Sequence, residues 1–242
     1  DLSAIMIDNL PFWAELSSTP SSKVSLIPEW EKKVQAIIKE SINQNVTSFA
    51  GVPSWMLSLL QQVMDKTGKD NISEIWKNSE VYFHGGVNFD PYRNIYKKLF
   101  PSKDFKYFEI YNASEGFFAI QDQNNSDELL LMLDYGIFYE FIPTNSSEQE
   151  IISLADVRLN VNYSLVITTN SGLWRYKIGD TIKFTSLNPF RIKVTGRTKH
   201  FINVFGEELV IENAEKALSK TCELTKAEIF DYTVGPIFMG SK

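Results

Sequence analysis

Residues 107–121 read YFEIYNASEGFFAIQ, with a short polar segment between two runs rich in aromatic residues. Aromatic and β-branched side chains favour strands, so residues 107–111 and 117–121 are predicted to form two strands. Residues 112–116 are small or polar and can make a sharp turn. The sequence therefore predicts a strand pair whose turn carries the hydroxyl of Ser114 and the carboxylate of Glu115 side by side.

This turn has two interpretations. In open α/β sheets, ligands bind outside the carboxyl ends of the strands. There the Ser114 hydroxyl and nearby backbone N–H groups could hold a phosphate, while Glu115 could hold Mg²⁺, a hard cation that prefers oxygen ligands. The alternative is an ordinary polar hairpin turn without a ligand.

Composition restricts the classes of partner. Of the 242 residues, 43% are hydrophobic and 22% are charged, which is typical of a globular chain with a sizeable core. The net charge of −6 and the lack of a Lys/Arg block argue against nucleic acid or an anionic membrane as the main partner. The single cysteine, Cys222, fits a reducing cytoplasm, and no signal peptide or membrane-length apolar run is present.

The first half of the chain alternates helices and strands, which indicates a largely parallel sheet covered by helices. Ser54 is the expected N-cap and Gly68 the expected stop of the second helix, and Asp90 is the expected N-cap of the third. The predicted helices are residues 29–45, 53–67 and 90–99, the predicted strands are 46–52, 81–83 and 107–111, and residues 11–23 are a predicted loop.

The second half is rich in strands. Residues 129–133 and 137–142 flank Asp134-Tyr135-Gly136 and predict a hairpin. Further strands are expected at residues 163–169, 191–195, 201–209 and 228–239, with a short helix at 211–218. The last of these strands would lack its neighbours, so the chain is interpreted as a fragment of a longer protein.

The expected fold class is thus α/β, a mostly parallel sheet layered with helices plus antiparallel β-hairpins, and the beginning of a small α+β C-terminal domain. Residues 1–198 would be part of a large domain. Residues 199–242 would be a hinge and the start of the small domain, because they are too few to bury a core alone.

Two other segments could contact a ligand. His84-Gly85-Gly86 follows a predicted strand, and its glycines permit close approach of the backbone to a flat ring or a phosphate. Asp180, which follows a glycine, could accept hydrogen bonds from two adjacent hydroxyls such as those of a ribose, or could be a simple turn residue. The two histidines and the lack of a Cys/His cluster make a zinc site a poor hypothesis.

Four motifs in order resemble those of the adenylate-forming enzyme superfamily. They are HGG at residues 84–86, YNASEG at 111–116, WRYKIGD at 174–180 and VTGRTK at 194–199. Within that superfamily the motif sequences are most similar to those of the auxin-responsive acyl-acid amido synthetases. GVPSWM at residues 51–56 and the run 134–143 resemble the bacterial branch of that family.

The resemblance implies a two-step reaction. ATP and an acyl acid would form an acyl-adenylate and pyrophosphate, and an amine, usually an amino acid, would then attack to give an amide. Two alternatives stay open, which are transfer of the acyl group to coenzyme A or another thiol, and a non-catalytic relative that binds an acyl ligand or a nucleotide.

The resemblance also implies roles for individual residues. Tyr111 would pack against adenine with Gly85 and Gly86 at its edge, and Asp180 would hold the ribose hydroxyls. The other implied roles are phosphate contact for Ser114, Mg²⁺ binding for Glu115, ribose contact for Arg197, hinge rotation for Lys199, and the acyl pocket for Val52, Trp55 and Phe117.

The chain departs from the family pattern in three places. The early phosphate loop and the C-terminal lysine that promotes adenylation have no counterpart in the 242 residues, and Asn203 stands where the superfamily usually has lysine. These departures predict that the 242 residues alone bind nucleotide poorly and are catalytically inactive.

Overall fold

The structure is a computed structural model that describes residues 2–124, 126–145, 150–198, 201–204, 207–229 and 232. Side chains are described for these residues except 2–4, 201–204 and 207–213. The chain divides into two compact units. The first comprises the described residues up to His84 together with Tyr92–Tyr107, and the second comprises Gly85–Pro91 together with the described residues from Phe108 onward.

The first unit is mainly helical. Its helices are α1 (Leu2–Asp8), α2 (Phe12–Leu16), α3 (Ser22–Ser25), α4 (Trp30–Ser41), α5 (Pro53–Thr67) and α6 (Arg93–Leu99), and its strands β1 (Ser48–Gly51) and β2 (Val81–His84) pair in parallel. Two stacked and fully buried tyrosine rings, Tyr82 and Tyr96, lie 4.9 Å apart in this unit. The Tyr96 hydroxyl donates to the carbonyl of Pro53 at 2.7 Å, so the buried rings tie α6 to the start of α5.

Helix boundaries in the first unit correct three predictions. The predicted loop 11–23 contains α2 and the start of α3. The predicted N-cap Ser54 lies inside α5, because Pro53 takes the first helical position, where its fixed φ and missing N–H are tolerated. Asp90 does not cap α6, since a 3₁₀ turn at Asp90–Tyr92 intervenes. The predicted stop is confirmed, because Gly68 adopts a φ of 65° and its N–H donates to Met64.

The second unit is built on an antiparallel sheet. Its strands are β3 (Lys106–Ala113, which begins in the first unit), β4 (Gly116–Ile120), β5 (Leu129–Leu131), β6 (Ile137–Pro143), β7 (Ile152–Ser153), β8 (Asn162–Thr169), β9 (Tyr176–Leu187) and β10 (Phe190–Arg197). Their order across the sheet is β3-β4-β5-β10-β9-β8-β6-β7. An antiparallel pair β11 (Phe201–Val204) and β12 (Glu207–Val210) and then helix α7 (Ile211–Thr225) follow.

The fold class is confirmed as a mixed sheet with helices. The expected sheet was mostly parallel, whereas antiparallel pairs predominate among the described strand pairs. Among the described strand pairs, β1 with β2 is parallel, and the pairs within the second unit are antiparallel. The division of the chain at residues 198 and 199 stays a prediction. Helix α7 runs to Thr225, well beyond the predicted end at residue 218.

The predicted hairpin of residues 129–142 is wrong. Strand β5 pairs with β4 and β10, whereas β6 pairs with β8 over its whole length, from Ile137 opposite Thr169 to Pro143 opposite Tyr163. A strand of seven residues completes more ladder hydrogen bonds with the long β8 than it could with the three-residue β5. Three strands therefore lie between β5 and β6 in the sheet order.

The sheet of the second unit is strongly curved. Strands β4 and β6 are five positions apart in the sheet order, yet a Cβ added at Gly116 would lie only 2.8 Å from Cδ1 of Ile137. At a strand spacing of about 4.8 Å, a flat sheet would separate these strands by roughly 24 Å. The sheet therefore curls back on itself around an apolar interior. That interior contains Tyr111, Phe118, Tyr139, Phe141, Tyr163 and Phe184 among its buried residues.

Within the described residues, no helix is both long enough and apolar enough to cross a membrane.

Strand β6 offers a matched test of this interior. Phe141 is fully buried and packs edge-on against Phe184 at 5.2 Å, whereas Phe138 on the same strand is 63% exposed. We expect Phe141→Ala to lower the free energy of unfolding by about 3–5 kcal/mol, because it leaves a cavity. Phe138→Ala should change it by no more than about 0.5 kcal/mol. Equal losses in urea unfolding would contradict the described interior.

Candidate functional site

The two-residue turn between β3 and β4 consists of Ser114 and Glu115. Ser114 is exposed and Glu115 is half-buried, so both side chains are accessible to a ligand. The predicted strand–turn–strand is confirmed, with a tighter turn than the five residues expected. Gly116, which begins β4, permits close packing against β6, because a Cβ there would lie 2.8 Å from Cδ1 of Ile137.

Asp180, Tyr111 and Arg197 form one hydrogen-bonded network. The Tyr111 hydroxyl donates to Oδ2 of Asp180 at 2.7 Å, and Nε of Arg197 donates to Oδ1 at 2.8 Å. Asp180 is 5% exposed, and Tyr111 is 8% exposed. Three of the residues that the sequence singled out for nucleotide binding are thus in direct contact.

Strand register brings Arg197 to Asp180. The two residues lie directly opposite each other in the β9–β10 pair, after a bulge between Val194 and Gly196. Asp180 lies within β9, so the alternative that it is a simple turn residue is wrong. The preceding Gly179 has a φ of 90°, and its carbonyl accepts hydrogen bonds from the backbone N–H of Thr198 at 2.7 Å and from its hydroxyl at 3.1 Å. The left-handed backbone at Gly179 favours glycine.

The Tyr111 hydroxyl stays protonated in this setting. Burial raises its pKa well above the ordinary value, and the adjacent negative charge of Asp180 raises it further. The hydroxyl is therefore a donor to Asp180 at physiological pH. A charged donor, Arg197, and a neutral donor, Tyr111, together compensate the buried carboxylate.

Gly85 lies against strand β3 directly beside Tyr111. A Cβ added at Gly85 would overlap the carbonyl oxygen of Ile110, so no larger residue fits without movement of the backbone. Gly86 has a φ of 83°, which also favours glycine. The close approach that the glycines permit is therefore to the backbone of β3, next to the network.

A second contact of the same loop was not predicted. Nδ2 of Asn88 donates to Oε2 of Glu215 on α7 at 3.1 Å. The two residues are 127 positions apart, and neither belongs to a motif that sequence inspection could have identified. The Tyr111–Asp180 contact, over 69 positions, was also missed, because motifs identify single residues and not the contacts between them.

The roles predicted for the remaining site residues, in the acyl pocket and at the hinge, stay predictions. Val52 is half-buried and Trp55 is 70% exposed at the start of α5 in the first unit, whereas Phe117 of the second unit contacts the ring of Tyr135 at 5.9 Å. Their assignment to an acyl pocket stays a prediction. Lys199 and its hinge role lie outside the described residues, and the side chain of Asn203 is not described.

The described residues contain no group of three or more His, Cys, Asp or Glu side chains that could hold a metal ion. Mg²⁺ often binds through one or two carboxylates together with substrate phosphates. The half-buried Glu115 fits that mode, in which the metal ion arrives with a nucleotide.

Two protein-family models match the chain. Residues 1–105 match the model of the GH3 family N-terminal domain, and residues 130–197 match that of the GH3 family central domain. The chain belongs to the GH3 family. The resemblance to the auxin-responsive amido synthetases is thereby confirmed, while the bacterial branch stays a prediction.

Individual relatives agree with the family assignment. The indole-3-acetic acid-amido synthetase GH3.3 of Arabidopsis thaliana is 26% identical over 190 residues, which cover 72% of this GH3 chain and 29% of the relative. The solved GH3.15 acyl acid amido synthetase superposes with a TM-score of 0.70 at 13% identity, over 85% of this chain and 46% of that one.

A 2-hydroxyisobutyryl-CoA ligase in its postadenylation state superposes with a TM-score of 0.56 at 15% identity, over 84% of this GH3 chain and 41% of the ligase. The fold is thus that of the adenylate-forming enzymes. The GH3 chain spans less than half the length of each of these three proteins.

His84, which precedes the two glycines, is neutral at physiological pH. It is 2% exposed, its ring lies 5.7 Å from that of Tyr82, and burial together with the charge of Arg93 lowers its pKa to about 3. A protonated imidazole is therefore disfavoured in the folded chain. His84 is a core residue rather than a proton donor near pH 7.

This pKa predicts a pH dependence of stability. Below a pH of about 6.5 the unfolded histidine binds a proton and the folded one does not. The free energy of unfolding therefore decreases as the pH is lowered, until the pKa of the folded state is reached. Between about pH 7.5 and about pH 5, His84→Gln should therefore lose about 2 kcal/mol less free energy of unfolding than the wild type loses. Urea unfolding of both proteins at the two pH values measures this difference. Identical pH profiles would show that His84 is accessible to protons in the folded state.

Proposed function

We propose that the protein that carries this chain is an ATP-dependent acyl-acid amido synthetase. It would adenylate a carboxylic acid, release pyrophosphate and transfer the acyl group to an amine, most simply that of an amino acid. The observation that carries the proposal is the buried Asp180 held by Tyr111 and Arg197 in a chain of the GH3 family.

Each residue of the network has a role in nucleotide binding under this proposal. The Asp180 carboxylate accepts hydrogen bonds from the ribose hydroxyls, and the Arg197 guanidinium balances its negative charge through the 2.8 Å ion pair. Tyr111, packed 4.9 Å from Phe118, presents its ring to adenine beside Gly85 and Gly86. The hydrogen bonds of Tyr111 and Arg197 to Asp180, and the packing of Tyr111 against Phe118, support this division of roles.

Ser114 and Glu115 serve the phosphates of ATP. The exposed hydroxyl of Ser114 donates to a phosphate oxygen, and the carboxylate of Glu115 holds Mg²⁺. A bound Mg²⁺ would neutralise phosphate charge during the loss of pyrophosphate. Adenylation is needed because a carboxylate is a poor acyl donor, and the adenylate gives it a good leaving group. Lys199 is the proposed hinge between the two half-reactions.

The other partners follow from composition and from the family. The substrates are a small acyl acid, with Val52, Trp55 and Phe117 as proposed pocket residues, and an amine. A cytoplasmic location agrees with the single cysteine, Cys222, which is buried and free. The net charge of −6 favours small-molecule substrates over nucleic acid.

The proposal predicts ATP–pyrophosphate exchange that depends on a carboxylic acid. In the protein that carries this chain, Glu115→Ala should lower the exchange rate by about 10²-fold or more, because it removes the carboxylate that holds the metal ion. Glu31→Ala, which removes an exposed carboxylate on α4, is the matched control and should leave the rate unchanged.

The acceptor is tested in the same assay. Amides formed with amino acids, or hydroxamate formed with hydroxylamine, together with no thioester from coenzyme A, identify an amido synthetase. A thioester would assign the protein to the acid–thiol ligases instead. Absence of exchange with every acid in a panel of aryl and alkyl carboxylic acids would refute adenylation.

A further inference from the structure

We propose that the hydroxyl of Tyr111 is a positioning group for ribose recognition, which holds the Asp180 carboxylate in the plane that receives two ribose hydroxyls. The inference rests on the proposed function, because it requires Asp180 to bind the ribose of ATP. The family resemblance gives Tyr111 a role only through its ring. The structure adds a role for its hydroxyl, through the 2.7 Å contact with Oδ2 of Asp180.

The first step of the argument concerns rotation of the carboxylate. The terminal torsion of an aspartate side chain is broad, so sterics alone do not fix the plane of its two oxygens. Arg197 contacts only Oδ1, which leaves the carboxylate free to turn about that contact. The Tyr111 hydroxyl contacts the other oxygen, and the two contacts together fix the plane.

The second step concerns which of the two contacts is rigid. The Arg197 side chain is 56% exposed, and its interaction with Asp180 is weakened by solvent. Tyr111 is 8% exposed and packs against Phe118, which is fully buried. The tyrosine is therefore the fixed support of Asp180, and the arginine is the adjustable one.

The third step concerns hydrogen-bonding capacity. Each carboxylate oxygen can accept about two hydrogen bonds. Oδ2 already accepts one from Tyr111 and Oδ1 already accepts one from Arg197. Among the described residues no further donor takes the second acceptor position of either oxygen, so one position at each oxygen is left for a ligand, which matches the two adjacent hydroxyls of a ribose. A carboxylate in this orientation should favour ATP over nucleotides that lack either hydroxyl.

The experiment compares ATP with 2′-deoxy-ATP and 3′-deoxy-ATP in the protein that carries this chain. Dissociation constants are measured by calorimetry for the wild type, Tyr111→Phe, Asp180→Ala and the double variant. Tyr111→Phe keeps the ring and removes only the hydroxyl. Tyr139→Phe is the matched control, because it removes another buried hydroxyl of the same apolar interior, one that donates to the carbonyl of Met132 at 3.0 Å.

We expect the wild type and Tyr139→Phe to prefer ATP over each deoxynucleotide by about tenfold or more. Tyr111→Phe should reduce that preference to about threefold or less, mainly by weakening the binding of ATP. Asp180→Ala should abolish the preference, and adding Tyr111→Phe to it should change nothing further, because the hydroxyl acts through Asp180.

An undiminished preference in Tyr111→Phe overturns the inference and leaves the proposed function standing. A loss of the same size in Tyr139→Phe also overturns it, since the effect would then come from any lost buried hydrogen bond. A wild type that shows acid-dependent pyrophosphate exchange but no preference for ATP refutes the ribose role alone. A wild type that binds no ATP refutes both the inference and the proposed function.

Discussion

The buried charge of Asp180 is the constraint on which the rest of the second unit depends. An ionised carboxylate that is almost fully removed from water is strongly unfavourable unless charged or polar donors satisfy it. Here one donor comes from β10 and the other from β3. In a flat sheet, β3 and β9 would lie about 19 Å apart, because they are four strand positions apart. The contact at 2.7 Å therefore requires the same curvature that brings Gly116 to Ile137.

Backbone irregularities provide part of that curvature. Register shifts occur between β10 and β9 before Gly196, between β3 and β4 after Tyr111, and between β8 and β9 after Ser164, and bulges of this kind bend strands and increase their twist. The first two of them lie next to Arg197 and Tyr111, the donors to Asp180. The features that bend the sheet and those that complete the network are thus the same short segments, so a change in one affects the other.

Local patterns in the sequence predicted local structure well. The turn within residues 112–116 and the Gly68 stop are decided by neighbouring residues, and the structure contains both, with the turn reduced to Ser114 and Glu115. The error at residues 129–142 arose because the turn residues 134–136 suggest a local hairpin. The actual partner of β6 is β8, and the paired residues are 20 to 32 positions apart in the sequence. Strand pairing over such distances depends on the whole interior, which no local pattern contains.

The same distinction applies to the candidate site. Residue types at the right spacing identified Tyr111, Asp180 and Arg197 individually, through the family resemblance. Their mutual contacts depend on the register of β9 with β10 and on the curvature of the sheet, so the contact between the Tyr111 hydroxyl and Asp180 could not be predicted from the sequence. The Ser54 error has a different cause, because both Pro53 and Ser54 favour a helix start and the rigid proline decides the position.

The compensation of Asp180 within the chain also bears on ligand binding. A carboxylate that had to be reoriented and stripped of water by the nucleotide would lower the affinity for it. Asp180 already accepts one hydrogen bond from the chain at each oxygen, and among the described residues no further donor takes the second acceptor position of either oxygen. The structural demands and the proposed ligand-binding demands on this residue are therefore compatible, because they use different lone pairs of the same two atoms. A buried ion pair that used all of these lone pairs would stabilise the curved sheet equally well and bind no ribose.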